Sequence, residues 1–113
     1  QLKQRNSLET WSKTAQTFIG NAMIYNFTTA NTQAFGNNMI NADASPVRYA
    51  IYSGDVNKDG VIDLNDIVLT YHASNTLSSG YVVTDINGDN IVDLNDILIV
   101  YNNSAGFVAV IKP

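Results

Sequence analysis

Residues 54–71 read Gly-Asp-Val-Asn-Lys-Asp-Gly-Val-Ile-Asp-Leu-Asn-Asp-Ile-Val-Leu-Thr-Tyr, and residues 84–101 read Thr-Asp-Ile-Asn-Gly-Asp-Asn-Ile-Val-Asp-Leu-Asn-Asp-Ile-Leu-Ile-Val-Tyr. The two stretches align without a gap at an offset of 30 residues. Asp55, Asp59, Asp63 and Asp66 fall on Asp85, Asp89, Asp93 and Asp96, and the paired Asn, Leu, Ile and Tyr positions also coincide. Most of the remaining pairs are aliphatic exchanges. Beyond them Ser74 falls on Ser104 and Leu77 on Phe107. This is an internal duplication, and the unit that was duplicated carries a dense set of side-chain oxygens.

The spacing of those oxygens points to calcium. Ca²⁺ takes six to eight oxygen ligands, and a twelve-residue loop supplies them from positions 1, 3, 5, 7, 9 and 12. In the first loop these positions are Asp55, Asn57, Asp59, the carbonyl of Val61, Asp63 and Asp66. In the second they are Asp85, Asn87, Asp89, the carbonyl of Ile91, Asp93 and Asp96. Gly60 stands where such a loop turns into the left-handed region, and Asn90 holds that place in the second loop. At position 8, Ile62 and Val92 are apolar and suited to pairing the two loops through a short strand. Zinc would draw on His or Cys, which neither loop contains. Magnesium prefers a tighter octahedron and keeps its waters. Two Ca²⁺ ions are therefore the expected cofactors. Four carboxylates around one ion repel each other when it leaves, so binding energy should appear as folding energy.

Each loop feeds a helix. Leu64, Ile67, Val68 and Tyr71, and likewise Leu94, Ile97, Leu98 and Tyr101, follow the spacing of one helical face. Asn75 with Ser78-Ser79-Gly80 ends the first helix, and Asn102-Asn103 through Gly106 ends the second.

The rest of the composition narrows the field. Only Glu9 and Asp43 among the acids lie outside the two loops, so the formal charge of −4 is concentrated where two divalent cations would cancel it. The six basic residues are scattered, which argues against a nucleic-acid surface. With no cysteine, disulfides and thiolate chemistry are excluded. No apolar run is long enough to span a membrane. The one histidine, His72, reads as a solvated helix residue, and Glu9 alone cannot supply the two carboxylates of glycosidase chemistry. Trp11, Tyr25, Tyr49 and Tyr52 read as core filling before a sugar-stacking strip. The sequons at Asn26 and Asn102 are no more than an Asn-rich chain shows by chance. No catalytic residues are expected.

Residues 1–53 have a different texture. Met23–Thr28 and Val47–Tyr52 alternate as strands do. Ala34–Asn41 is turn-rich around Gly36-Asn37-Asn38, and Gln1–Lys13 reads as a further strand ending near Trp11. Three or four strands make a small sheet.

With two copies of Asp-(Val/Ile)-Asn-x-Asp-(Gly/Asn)-(Val/Ile)-(Ile/Val)-Asp-Leu-Asn-Asp, each followed by one helix, residues 53–107 resemble a dockerin. Dockerins lack the entering helix of an EF-hand and use Asp, not Glu, at position 12. A broader resemblance includes Arg5-Asn6-Ser7-Leu8-Glu9-Thr10-Trp11-Ser12, Tyr25-Asn26-Phe27-Thr28, Gly36-Asn37-Asn38-Met39 and Tyr52-Ser53-Gly54-Asp55. It is to C-terminal modules of large secreted bacterial proteins, in which a β-sandwich tail runs into a dockerin-like pair. This implies an α+β chain. Residues 1–53 would be an incomplete, Ig-like β-sandwich segment with further strands upstream, and residues 54–113 the duplicated calcium-binding domain.

Dockerins bind cohesins through loop positions 10 and 11 and the following helix. Carried over, these are Leu64-Asn65 and Leu94-Asn95, although core packing or helix initiation is the first expectation for the two leucines. Three readings follow. The leading one is a non-catalytic, calcium-stabilised structural module of an extracellular or cell-surface bacterial protein. The second is an adaptor that docks a cohesin-like partner. The third is a subunit that exchanges strands with neighbouring protomers of an extracellular fibre.

Overall fold

Asp63 and Asp93 launch the two helices. In the computed structural model, which describes all residues 1–113, the Asp63 carboxylate accepts the Asn65 N–H at 2.7 Å and the Asp93 carboxylate accepts the Asn95 N–H at 2.7 Å. In return Asp66 and Asp96 accept the N–H of Asp63 and Asp93 at 3.0 and 2.9 Å. This reciprocal capping satisfies donors that a helix start otherwise leaves bare. It initiates α1, Leu64–Asn75, and α2, Leu94–Ala105, which pack against each other. Each helix stops at a left-handed residue, Leu77 at φ 53° and Phe107 at φ 52°, whose N–H closes on the carbonyl of Ser74 or Ser104. No helix enters either loop.

The helix faces differ from the expectation. The buried positions of α1 are Asp66 and Thr70, with Ile67 against the core; those of α2 are Asp96, Val100 and Asn103. Leu64 and Leu94, expected to pack in the core or to start the helix, are the first residues of their helices but lie 68% and 73% exposed, outside the core. Val68, Tyr71, Leu98 and Tyr101 are exposed with them. Each capping box fixes the rotation of its helix by drawing Asp66 or Asp96 inward, and the neighbouring Leu64-Asn65 or Leu94-Asn95 is thereby turned to solvent.

The loops also do not pair with each other through Ile62 and Val92. Ile62 N–H donates to Val108 and Val110 N–H to Gly60, at 2.9 and 2.8 Å. In the other loop Val92 N–H donates to Ser78 and Gly80 N–H to Asn90, at 3.0 and 2.9 Å. Each loop is thus laced to the tail that follows the other loop's helix, with the same register in both repeats. Ile62 and Val92 still point inward, 1% and 2% exposed. The apolar side chains were legible; their backbone partners were not.

The core cluster consists of Leu8, Val56, Ile62, Ile86 and Val100, ringed by Tyr52, Ile67, Ile99, Val108 and Val110. Leu8 is fully buried, so the first residues of the chain form part of the same core as the loops. Gly54 is needed at the entrance to the first loop. At φ 116°, a Cβ there would stand 3.3 Å from the Cα and Cγ2 of Val100.

Residues 1–53 contain one two-stranded antiparallel sheet, β1 (Ile40–Ala44) and β2 (Val47–Ala50), with a bulge between Asn41 and Asp43. β2 occupies the first four residues of the expected Val47–Tyr52 strand. Its partner was not foreseen: Ile-Asn-Ala-Asp-Ala alternates, but two of its three apolar residues are alanine, its other two are the strand-poor Asn and Asp, and all five are exposed. The Gly36-Asn37 turn forms as expected, both residues with positive φ. Met23–Thr28 is not a strand: its one tie to the sheet is the Thr28 carbonyl, which accepts the Tyr49 N–H at 2.9 Å. Tyr25 and Phe27 nonetheless share a face, edge to face at 4.8 Å. Gln1–Lys13 is not a single strand either, since Leu2 and Thr10 fold back and exchange N–H···O bonds of 2.7 and 3.0 Å. Trp11 and Tyr25 line an open groove of about 730 Å³ with Phe18, Met23 and Phe27, whereas Tyr52 packs on the core, so the aromatics form no single strip.

Glu9 ties this half to the C-terminal tail. It accepts the Trp11 indole N–H at 2.6 Å and lies 3.1 Å from Lys3 and 3.8 Å from Lys112. A hydrogen bond with Gln1, then those from Lys3 and Trp11 and the charge of Lys112, outweigh burial and hold its carboxyl down from 4.5 to about 2. A depressed acid stabilises the fold above its unfolded pKa and loses that contribution as pH falls through the folded value. Stability supplied by Glu9 should therefore fade between about pH 4.5 and 2. In chemical denaturation, the difference between the wild type and Glu9→Gln should shrink across that window. A difference constant with pH would show that the ionised carboxylate contributes nothing.

Candidate metal centres

The two loops have nearly the same internal wiring. Asp66 Oδ1 accepts the N–H of Val56 and Asn57 at 2.8 and 3.1 Å, while Asp96 Oδ1 accepts those of Ile86 and Asn87 at 2.7 and 3.0 Å. Asn57 Oδ1 accepts the Asp59 N–H and Asp59 Oδ1 the Val61 N–H, both at 2.9 Å. The equivalent bonds through Asn87 and Asp89 are also 2.9 Å. Successive side-chain oxygens catching the backbone two residues on coil each loop into a tight ring.

That ring requires left-handed backbone at two places, positions 4 and 6. Lys58 and Gly60 take φ 65° and 89°; Gly88 and Asn90 take 83° and 74°. Each loop places glycine at one of the two positions and accepts a strained residue at the other. The expectation for Gly60 and Asn90 holds. Position 4 was not singled out, although Gly88 was its visible trace.

Burial sorts the acids. Asp55 and Asp85 are 4% and 2% exposed, and Asp66 and Asp96 are fully buried. Asn57, Asp59, Asn87 and Asp89 lie at the surface, with Asp63 and Asp93 in between. The carbonyls of Val61 and Ile91 accept no hydrogen bond from the protein. Asp55 is held above the usual carboxylate range. Desolvation is the first cause, opposed by the Gly60 N–H and reinforced by the charges of Asp66 and Asp59. For an acid of raised pKa, ionisation costs folding free energy; the cost begins as pH rises past the unfolded value and is complete above the folded one. A cation beside Asp55 would remove it.

The donor set fits a hard divalent cation: carboxylate, amide and main-chain oxygens, with no nitrogen or sulfur ligand. No three acidic or histidine side chains converge as a compact cluster. The oxygens are spread around each ring, and many are turned onto backbone N–H groups. What the loops offer a cation is therefore their conformation and donor chemistry, not a converged carboxylate cage.

The N-terminal segment supplies contacts that local patterning did not reveal. Arg5 Nη2 donates to the Asp85 carbonyl at 3.1 Å and lies 4.0 Å from Asp85 Oδ2, with its guanidinium 3.9 Å from the centre of the Tyr81 ring. Lys58 Nζ donates to the Gln4 carbonyl. Leu64-Asn65 and Leu94-Asn95 are brought to the surface at the start of the two helices. No known protein family, curated protein or solved structure matches the chain.

Proposed function

We propose that the chain is a non-catalytic, dockerin-like module stabilised by two Ca²⁺ ions, one in Asp55–Asp66 and one in Asp85–Asp96, working in an extracellular or cell-surface bacterial protein. The observation that carries this reading is the repeated loop. Two separate segments adopt nearly the same side-chain-to-backbone wiring and the same pair of left-handed positions, around oxygens at calcium-ligand spacing. An Asp/Asn-rich turn would have no need to repeat that geometry in register. The work of the module is mechanical: each ion would hold a loop to its helix, and the crossed tails bind the two halves together. Calcium titration by calorimetry tests the reading directly, with two equivalents expected and no heat overturning it.

The exposed helix faces favour a second reading, an adaptor that docks a cohesin-like partner. Leu64, Val68 and Tyr71 form an apolar stripe on α1, and Leu94, Leu98 and Tyr101 repeat it on α2. Replacing Leu64-Asn65 and Leu94-Asn95 together with Ala-Ala pairs should abolish cohesin capture while leaving calcium affinity within about twofold, because the substituted side chains lie outside the ligand set. Capture that survives in the quadruple variant would move the partner to another surface.

No helix is long and apolar enough to cross a membrane.

A further inference from the structure

We infer that Asn6 couples the two calcium loops, so that an ion in one raises the affinity of the other. The inference deepens the calcium reading and rests on it. Asn6 is 3% exposed and touches the entrance of both loops. Its carbonyl accepts the N–H of Gly54, the residue before Asp55, at 2.7 Å. Its side-chain Nδ2 donates to the carbonyl of Asp85 at 2.8 Å. Position 1 of one loop and the residue preceding position 1 of the other are therefore joined through a single buried residue.

The flanking residues extend the bridge. Gln4 holds Lys58 of the first loop through its carbonyl, and Arg5 adds a second donor to the Asp85 carbonyl. On the far side Leu8 N–H donates to Tyr52 at 2.9 Å, and Ser7 bridges Ser53. Residues 4–8 thus lie along the approach to the first loop while gripping the start of the second.

Coupling follows from this arrangement. Ligation at Asp55 restrains the adjoining Gly54 and, through the Gly54 N–H, the Asn6 backbone. A fixed Asn6 presents its amide to Asp85 in one orientation, which orders the peptide carrying the first ligand of the second loop. Whichever ion binds first meets the ordering cost of the shared segment, and the second is spared it. The crossed tails give a second, weaker route, because they grip positions 6 to 8 and not the first ligands.

The test is a set of calcium titrations by calorimetry on the full chain. Asp59→Ala disables the first loop and Asp89→Ala the second, each in the Asn6 background and with Asn6→Ala or Asn6→Asp. Asn6→Asp keeps size and backbone but loses the Nδ2 donor, and it serves if Asn6→Ala fails to hold the fold. With Asn6 in place, disabling one loop should weaken the other about fivefold or more. In the Asn6 variants that penalty should fall to about twofold or less, the residue being what the tails transmit. A merely structural role would lower both affinities and leave the penalty unchanged, which would overturn the inference. So would two wild-type sites that ignore one another, while leaving the calcium reading intact. No calcium heat from the wild type would end both.

Discussion

In excess EDTA the protein should melt about 10–20 °C lower than in about 10 mM Ca²⁺, given sites of the affinity usual for extracellular modules. A Kd of about 10⁻⁴ to 10⁻³ M and that ion concentration give each filled site roughly 1–3 kcal/mol of stabilisation by mass action. Two sites acting on one core add, because Val56, Ile62, Ile86 and Val100 pack together and neither loop can open alone without disturbing it. For a chain of this size each kcal/mol moves the midpoint by about 4 °C. The sign is reinforced by electrostatics: Asp55 ionises at a cost in its buried site, and a divalent cation reverses that cost. Magnesium at equal concentration should produce a much smaller shift, since it resists an irregular site of many ligands. Superimposable melts in EDTA and Ca²⁺ would refute the metal reading. An equal shift with magnesium would reduce it to charge screening.

The second large effect separates the acids that hold the loop from those that would hold only the ion. Asp66 is fully buried and accepts three backbone N–H bonds, from Val56, Asn57 and Asp63; Asp96 does the same for Ile86, Asn87 and Asp93. Hydrogen bonds to a charged acceptor contribute about 1.5–3 kcal/mol each, and orphaned buried donors add a desolvation penalty. Asp66→Ala or Asp96→Ala should therefore cost about 4–6 kcal/mol of unfolding free energy even in EDTA. That is a large share of the roughly 5–15 kcal/mol a small domain possesses. Asp66→Asn keeps one acceptor oxygen and should fall between. Asp59→Ala and Asp89→Ala remove exposed groups and should each cost about 1 kcal/mol or less in EDTA, while removing the disabled loop's share of the calcium-dependent stabilisation. Denaturant titration of the four alanine variants with and without Ca²⁺ checks both halves. If Asp66→Ala is as stable as the wild type in EDTA, its carboxylate does not hold the loop together.

How much of this was legible depends on the range of the forces involved. The loop positions, the helix starts and the demand for positive φ at Gly60 and Asn90 are all written within a dozen residues, because chelation, capping and turn strain act between near neighbours. β2 was readable for the same reason, since alternation is a local signal. β1 was not, because its alternation rests on one isoleucine and two alanines among Asn and Asp, residues poor in strand preference, and it buries neither face.

The helix faces illustrate the boundary between the two. Periodicity identified the apolar positions Leu64, Ile67, Val68 and Tyr71, and it holds as a helical stripe. Which side of that stripe meets the core is set by the capping box, which pulls Asp66 inward to serve the backbone of Val56 and Asn57 and leaves Leu64 in solvent. A carboxylate satisfying three N–H groups outweighs the burial of one leucine.

Taken by itself, the amino-acid order determined a duplicated, oxygen-rich loop followed by a helix, because those features need only contacts between residues close along the chain. The tertiary structure alone decided that each loop is laced to the other repeat's tail, that Leu8 completes the core, and that Asn6 stands between the two ring entrances. These contacts join residues dozens of positions apart, and a backbone N–H or C=O carries no side-chain mark of the distant partner it will find.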